Sequence, residues 1–439
     1  MKKKVLIGVA IGVGVLLLII IVIIILAKIG QKKDNDDIIG KDVLGEIECI
    51  YDISSQTEPT NILGEEFEKS FLLSIEVNGD KIKYSKQYKF DKTGKNTVKY
   101  YIYDQTISID KMFKNITELT SVNFNSNTNL KIKSMESLFE NSIKLSEIQI
   151  KGFDTSKVKS LKKLFFKCES LITINLDKLI NTNQVTDMSH MFSYSGLREF
   201  SPKNFDTSSI INMSHMFDNC YHLIDINFPE LNTNNLKDMS FMFKSCESLE
   251  SINLNSFKSN QVENMQGIFQ DCIFLMSIDL SSLDTSKVTD MSYMFKNCEQ
   301  LKEIDLRNLN TNNVRNMSHM FEFCGQLNYA YTSNLKTSNV IDMSYMLSSC
   351  RRLEFINVTS FNVNNVKDFS RMFRQCTSLM SLDLSNFETK SAENMSGFFQ
   401  ECSSLKDLNI KNFVTNNVID MSYIFGDCNS LISLDVSKF

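Results

Sequence analysis

The chain has 439 residues, a net charge of −5, 42% hydrophobic and 23% charged residues, and only 15 Gly and 3 Pro. This balance excludes a disordered tail, a polytopic membrane protein and a collagen- or proline-type repeat, and the negative charge argues against a nucleic-acid partner. With no Trp, four His and eleven widely spaced Cys, neither a disulfide miniprotein nor an enzyme is expected.

Residues 1–4 are a short tail carrying Lys2, Lys3 and Lys4. Residues 5–27 hold no charge, and twenty-three residues suffice to cross ~30 Å of hydrocarbon at ~1.5 Å per residue. No A-x-A-like cleavage site follows and no cysteine precedes Cys49, so the segment reads as an uncleaved transmembrane signal anchor. Lys28, Lys32 and Lys33 balance the three lysines in front of it. The free amino terminus then tips the expected orientation toward a single-pass protein with its bulk outside the cell. Gly8 and Gly12 have G-x-x-x-G spacing, for which the general frequency of Gly in such spans is explanation enough.

Residues 28–43 form a charged linker, and 44–108 a small β capping region of four to six strands. Leu72 to Val77 and Lys81 to Tyr84 flank an Asn78-Gly79-Asp80 turn, which predicts a hairpin. Tyr88 to Phe90 and Val98 to Tyr103 alternate in the same way across Lys92 to Lys95.

From about residue 109 the sequence repeats. Cysteines fall every 26 residues from Cys220 to Cys428, and Cys168 lies two periods earlier, an insertion near Leu179 being cancelled by a deletion near Gly196. Residues 109–439 are thus expected to form twelve 26-residue repeats plus partial end coils. In the coil from Cys298 to Phe323, Leu301, Ile304, Leu306 and Leu309 predict a short strand, and Asn310-Thr311-Asn312-Asn313 a polar turn. Val314, Met317, Met320, Phe321 and Cys324 then recur at helix-like spacing. The residue before the first Met slot is Ser, Asp or Asn in every coil, from Ser134 and Ser160 to Asp420, which reads as a helix N-cap. The expected fold is an α/β repeat solenoid, a curved leucine-rich-repeat-like stack of strand, turn and short helix. Helices need ~8–10 Å between axes, so the helical side should spread and the strands should line a concave face.

The string from Leu283-Asp284-Thr285-Ser286-Lys287-Val288 through Thr289 to Leu301 resembles the D-x-S-x-V-x-x-M-S-x-M-F-x-x-C-x-x-L unit of the BspA-like leucine-rich-repeat surface proteins. The resemblance covers residues 109–439. It implies display on the surface of a bacterium or parasitic protist, adhesion to host cells, matrix or other microbes, and no catalytic residues. An N-terminal anchor, rather than a lipid attachment site or a C-terminal anchor, is a departure from that pattern.

Several residues invite a site. The ten stacked cysteines contain no C-x-x-C and read as buried thiols, with neighbours on a widened helical side beyond the ~7 Å Cα reach of a disulfide. His190, His215 and His319 share one outward slot, elsewhere filled by Phe241, Tyr293, Tyr345 and Tyr423. No third ligand recurs with them, so neither a metal nor a cofactor is expected. Sequons begin at Asn115, Asn212, Asn316, Asn357 and Asn394, and the expected capping role explains three of them. One outward strand slot, from Asn227 to Asp435, is mostly Asn or Asp and reads as a polar concave face. The strongest binding signal is a broken rule: Ala330 and Thr332 replace Ile and Leu at inward slots, with Tyr329 and Tyr331 outside them. Phe355, Arg351 and Arg352 in the next coil complete the composition of an interface hot spot. Leu431, Leu434, Val436 and Phe439 end the sequence without a polar capping repeat, an end that would self-associate or continue in a longer chain.

The expected function is that of a membrane-anchored, adhesin-like binding protein whose repeat face takes an extracellular protein or glycan. The alternative is a membrane-tethered intracellular scaffold using the same solenoid, and a type II membrane enzyme is a distant third.

Overall fold

The computed structural model describes residues 38, 40–176, 181–202, 205–228 and 231–437. The expected anchor at 5–27 and most of the 28–43 linker lie outside the described residues, among which no helix is long and apolar enough to cross a membrane.

The N-terminal unit is built from β1 (Gly45–Ile53), β2 (Thr60–Asn61), β3 (Leu73–Val77), β4 (Asp80–Ile82), β5 (Gln87–Tyr88), β6 (Gly94–Ile102) and β7 (Thr106–Ser108). Alternating residues of β1, β3 and β6 point into one core, as a half-buried sheet requires. The β3–β4 hairpin forms as its turn predicts, with Asn78 and Gly79 both at positive φ (51° and 95°). No hairpin joins Tyr88 to Val98: β5 pairs with β2 instead, and β6 lies between β1 and β3. Tyr51 and Tyr100 share a buried hydroxyl contact of 3.0 Å, and both donate to the Ile62 carbonyl.

This unit is continuous with the solenoid. Its sheet runs β4-β3-β6-β1-β8-β7, where β8 (Leu119–Ser134) is the first repeat strand and pairs antiparallel with β1. On its other side β8 pairs in parallel with β9 (Glu147–Asp154). The cap therefore satisfies the edge that would otherwise be open at this end of the stack.

Beyond β9 the strand face is reduced to short pieces: β10 (Glu199–Phe200), β11 (Asp225–Ile226), β12 (Glu303–Asp305), β13 (Tyr329–Tyr331), β14 (Phe355–Ile356), β15 (Ser381–Asp383) and β16 (Asp407–Asn409). They pair in parallel where they pair. The more regular ladder lies elsewhere. Bridges link the slot before Met from coil to coil, without a gap, from Ser160 through Asp187 and Asn212 to Asp420, which gives about eleven coils. The twelfth, Ser134, ends β8.

The short helices do not form, and no α-helix occurs among the described residues. Tyr293 and Asn297 both have a φ of 61°, and equivalents recur in the other coils. Two left-handed residues four apart leave no room for a run of i→i−4 bonds. The amides of Met291, Tyr293, Phe295 and Asn297 instead donate to Asn316, Ser318, Met320 and Glu322 in the next coil, at 2.6–3.0 Å. Between them Lys296 and Cys298 donate three residues back, to Tyr293 and Phe295. The segment is a chain of tight turns cross-linked along the solenoid. Its apolar spacings of three, three, one and three look helical because consecutive turns also return a side chain inward every three or four residues.

The supposed N-cap is real hydrogen-bond chemistry in another setting. Asp290 Oδ1 accepts from the Ser292 amide at 2.8 Å, closing an Asx turn. Asp279 and Asp284 do the same for Ser281 and Ser286, so one coil carries three such corners. The outward Asn/Asp strand slot is thereby explained as a turn-former. Because the turn face is spaced by backbone hydrogen bonds rather than by packed helices, the wedge expected to curve the stack is missing.

Three columns run through the core beside its buried Leu, Val and Met slots. Phe113 through Phe321 stack ring on ring at 5.4–5.8 Å with interplanar angles of 4–14°, broken at Leu347 and resumed from Phe373 to Phe425. Each repeat cysteine is free, and its thiol donates to a carbonyl of the coil before. The sequence reading missed the third column. Thr311, placed in a polar turn, is buried: its hydroxyl donates to the Lys336 carbonyl at 2.9 Å and accepts from the Lys336 amide at 2.8 Å. Thr207, Thr233, Thr337 and Thr389 repeat that bond pair.

Candidate functional site

The irregular coil at residue 329 sits in the one described sheet in which three consecutive repeat strands pair, β12-β13-β14. Period-two alternation sends Ala330 inward and leaves Tyr329 and Tyr331 outward, each 43% exposed. Tyr329 stands directly beside Phe355, which is 55% exposed, and Tyr331 beside Asp305. Thr332 is buried and its hydroxyl donates to the Asn357 carbonyl, so the polar inward residue is satisfied. The three aromatics thus share one outward strand face.

Arg351 and Arg352 do not join them. They line an open cleft of about 340 Å³ with Glu299, Gln300, Phe323 and Gln326, at the turns that follow the cysteines. The guanidinium that does meet the aromatics is Arg307, 5.1 Å over the Tyr331 ring and held by a two-pronged pair with Asp305 at 2.9 and 2.7 Å. Asp305 in turn sits below the usual carboxylate range because Arg307 bonds it. Sequence reasoning missed Arg307. The available signal was the outward Asp305-x-Arg307 pair one coil before Tyr331.

The histidine slot is only half exposed, because its members lie across one another. Phe166 meets His190 edge-on at 6.2 Å, and His190, His215 and Phe241 then stack at 4.4 and 4.9 Å. Tyr293, His319 and Tyr345 stack at 4.6 Å each, followed by the Arg371 guanidinium at 5.4 Å. Where the slot holds Gly267, a Cβ would come within 2.3 Å of the Phe241 ring, so that glycine makes room for the preceding aromatic. The expectation that no third ligand group accompanies His190 and His215 is corrected: Asp218, three residues after His215, lies with them.

Burial pushes the repeat thiols well up, Cys220 and Cys324 to about 12. They are the inert thiols the sequence suggested, although coil separation is not what keeps them apart, since the adjoining backbone is at hydrogen-bond spacing. The Asn212, Asn316 and Asn394 side chains accept from Ser amides within their own Asx turns. Asn115 is exposed and accepts from Asn141.

The sequence profile of the family described as "Mycoplasma protein of unknown function, DUF285" matches residues 107–201, 194–303, 274–354 and 325–439. The chain belongs to this family. The matches cover the solenoid from its first coil onward, and the overlapping segments reflect the repeat, since any coil can take the register of its neighbour. No curated protein matches the chain. Among solved structures it is similar to the leucine-rich-repeat chain in the crystal structure of a TLR13–ssRNA13 complex, at 13% identity and a TM-score of 0.24. That match covers 74% of this chain and 62% of that chain, so this chain spans less than two thirds of its length.

Proposed function

We propose that this DUF285 chain is a membrane-anchored, adhesin-like binding protein, held by residues 5–27 at the cell surface, whose solenoid takes a protein or glycan ligand on its strand face. The resemblance of its repeat to the BspA-like surface proteins supports the same reading. The observation that carries it is the juxtaposition of Tyr329 and Phe355 in register on β13 and β14, with Tyr331 two residues on. Exposed rings on a rigid sheet lose little conformational freedom on binding, and Arg307 supplies a pre-oriented cation beside them. Isolated apolar side chains on a surface need no explanation, but three aromatics in adjoining registers do.

Two experiments test it. Protease treatment of intact cells carrying a C-terminal tag should remove the tag, whereas protection until the cells are permeabilised would place the solenoid inside and turn the reading to an intracellular scaffold. The combined variant Tyr329→Ala, Tyr331→Ala and Phe355→Ala should abolish attachment to host cells or matrix while leaving thermal stability nearly unchanged, because all three rings already face water. Undiminished attachment would remove this face from the argument.

A further inference from the structure

We propose that His190, His215 and Asp218 bind one divalent transition-metal ion of the zinc class, clipping two neighbouring coils together. One ligand atom from each of the three residues lies within 4.8 Å of the others, with Asp218 buried and both histidines half-buried. Two imidazoles and a carboxylate are the donor set of a three-ligand zinc site with a fourth position open to water, at ~2.0–2.2 Å per bond.

The supporting backbone is fixed. His190 donates to the Ser214 carbonyl at 3.0 Å and Tyr194 to the Asp218 carbonyl at 2.9 Å, so the coils carrying the ligands are already tied at hydrogen-bond distance. Only side chains need to move, the stacked rings turning until their lone pairs converge. Asp218 Oδ1 is held by the Asn219 amide at 2.6 Å, which leaves Oδ2 for His215 Nδ1, now 2.8 Å away. The ion would take the place of the proton in that bond, with His215 carrying its proton on Nε2 instead. Outer partners of this kind orient metal ligands.

The repeat supplies its own comparison. His319 makes the equivalent i,i+3 bond, Nδ1 to Glu322 Oε2 at 2.8 Å, but there Lys296 reaches the same oxygen at 2.7 Å. A built-in ammonium occupies the cationic position beside that carboxylate. At Asp218 the residue in the slot of Lys296 is Ser193, which carries no charge and donates to the His215 carbonyl, and among the described residues the ion pair that Asp218 makes is with His215.

The test titrates zinc into the full chain in detergent, in competition with a chromogenic chelator, and repeats it with cobalt. One equivalent should bind, and His215→Gln and Asp218→Asn should each weaken it at least tenfold. His319→Gln should leave it unchanged. The cobalt complex should show ligand-field bands without an intense sulfur charge-transfer band, which would instead implicate the thiols and overturn the assignment. Should a variant fold poorly, the unaltered chain still decides the matter: zinc should protect His190 and His215, but not His222 or His319, from diethylpyrocarbonate. Equal modification of all four with and without zinc would sink the proposal, as would the absence of stoichiometric uptake.

Discussion

The Cys298 thiol donates to the carbonyl oxygen of Phe269, 3.2 Å away in the coil before it. Ser142, which occupies the same slot without sulfur, makes the same bond to Phe113 at 2.7 Å. The slot thus selects a small donor rather than redox chemistry. Cys298→Ser should therefore be less damaging than Cys298→Ala, by on the order of 1 kcal/mol, since only the alanine removes the bond between coils, leaving the Phe269 carbonyl with the Cys272 amide of its own coil. Urea midpoints of the two variants check the order. In the unaltered chain, the buried thiols from Cys168 to Cys402 should react with a thiol reagent no faster than their coils open, with the half-buried Cys428 reacting ahead of them.

The phenylalanine column predicts a graded response. Phe295 stacks on Phe269 and Phe321 at 5.6 and 5.5 Å, while Leu347 shows that one coil can do without a ring. Phe295→Leu should cost roughly 1 kcal/mol, and Phe295→Ala about 3–5 kcal/mol through the cavity it opens. Denaturation monitored in the full chain would show whether the loss is local to a few coils or spread through the stack.

Asp290 offers a way to distinguish turn from helix. Asp290→Ala removes the acceptor for the Ser292 amide and hydroxyl and should cost about 1 kcal/mol. The far-ultraviolet circular dichroism of the unaltered solenoid should be of β type with no helical double minimum. A helical spectrum would overturn the turn ladder described for residues 290–298.

Thr311→Val keeps the shape of the side chain and removes its hydroxyl. Both the amide and the carbonyl of Lys336 then lose their partner in a buried place, so the loss should fall near 1–3 kcal/mol in spite of the added hydrophobicity. A neutral or stabilising result in thermal melts would mean that water reaches that column.

His190 carries a pH signature. Its folded value is depressed to about 4 from the ordinary 6.5, so below pH 6.5 the unfolded chain takes up a proton that the folded chain refuses. Stability contributed by the neutral ring is present above pH 6.5 and is lost as the pH falls toward 4. His190→Tyr, which places in this slot the residue found at Tyr293, should flatten that part of the stability profile relative to the unaltered chain. Measurement in metal-free buffer keeps proton uptake separate from ion release.

What the sequence disclosed depended on which signal was unique. The 26-residue period, the inward Leu301 and Ile304, the Phe column and the buried cysteines all rest on hydrophobic phase, and that phase has one reading. The Met–Phe segment has two: a helix and a run of β-turns return side chains inward at the same spacings, and the positive φ of Tyr293 leaves no mark, since an aromatic is an uncommon choice there. The Asx corners at Asp279, Asp284 and Asp290 were visible as residues but ascribed to three different roles. Thr311 was invisible because its partner lies 25 residues away, as was the meeting of His190 with Asp218. The aromatic face at Tyr329 and Phe355 was legible, because strand register follows directly from the repeat, whereas the placement of Arg351 and Arg352 depended on turn geometry that the period does not encode.

The hydrogen bonds from Phe295 to Met320 and from Asn297 to Glu322 point along the stack, as do their equivalents in every coil. A load applied between the two ends therefore pulls on these bonds lengthwise, one coil interface after another in series. The weakest interface gives way first. Each released coil of 26 residues adds up to ~90 Å of extended chain, at ~3.4 Å per residue, in place of a single ~5 Å step of the stack. The remaining coils keep their own cores, because no side-chain column depends on more than its nearest neighbours. Under tension such a solenoid lengthens in discrete steps and remains intact elsewhere, as an extensible tether rather than a rigid strut.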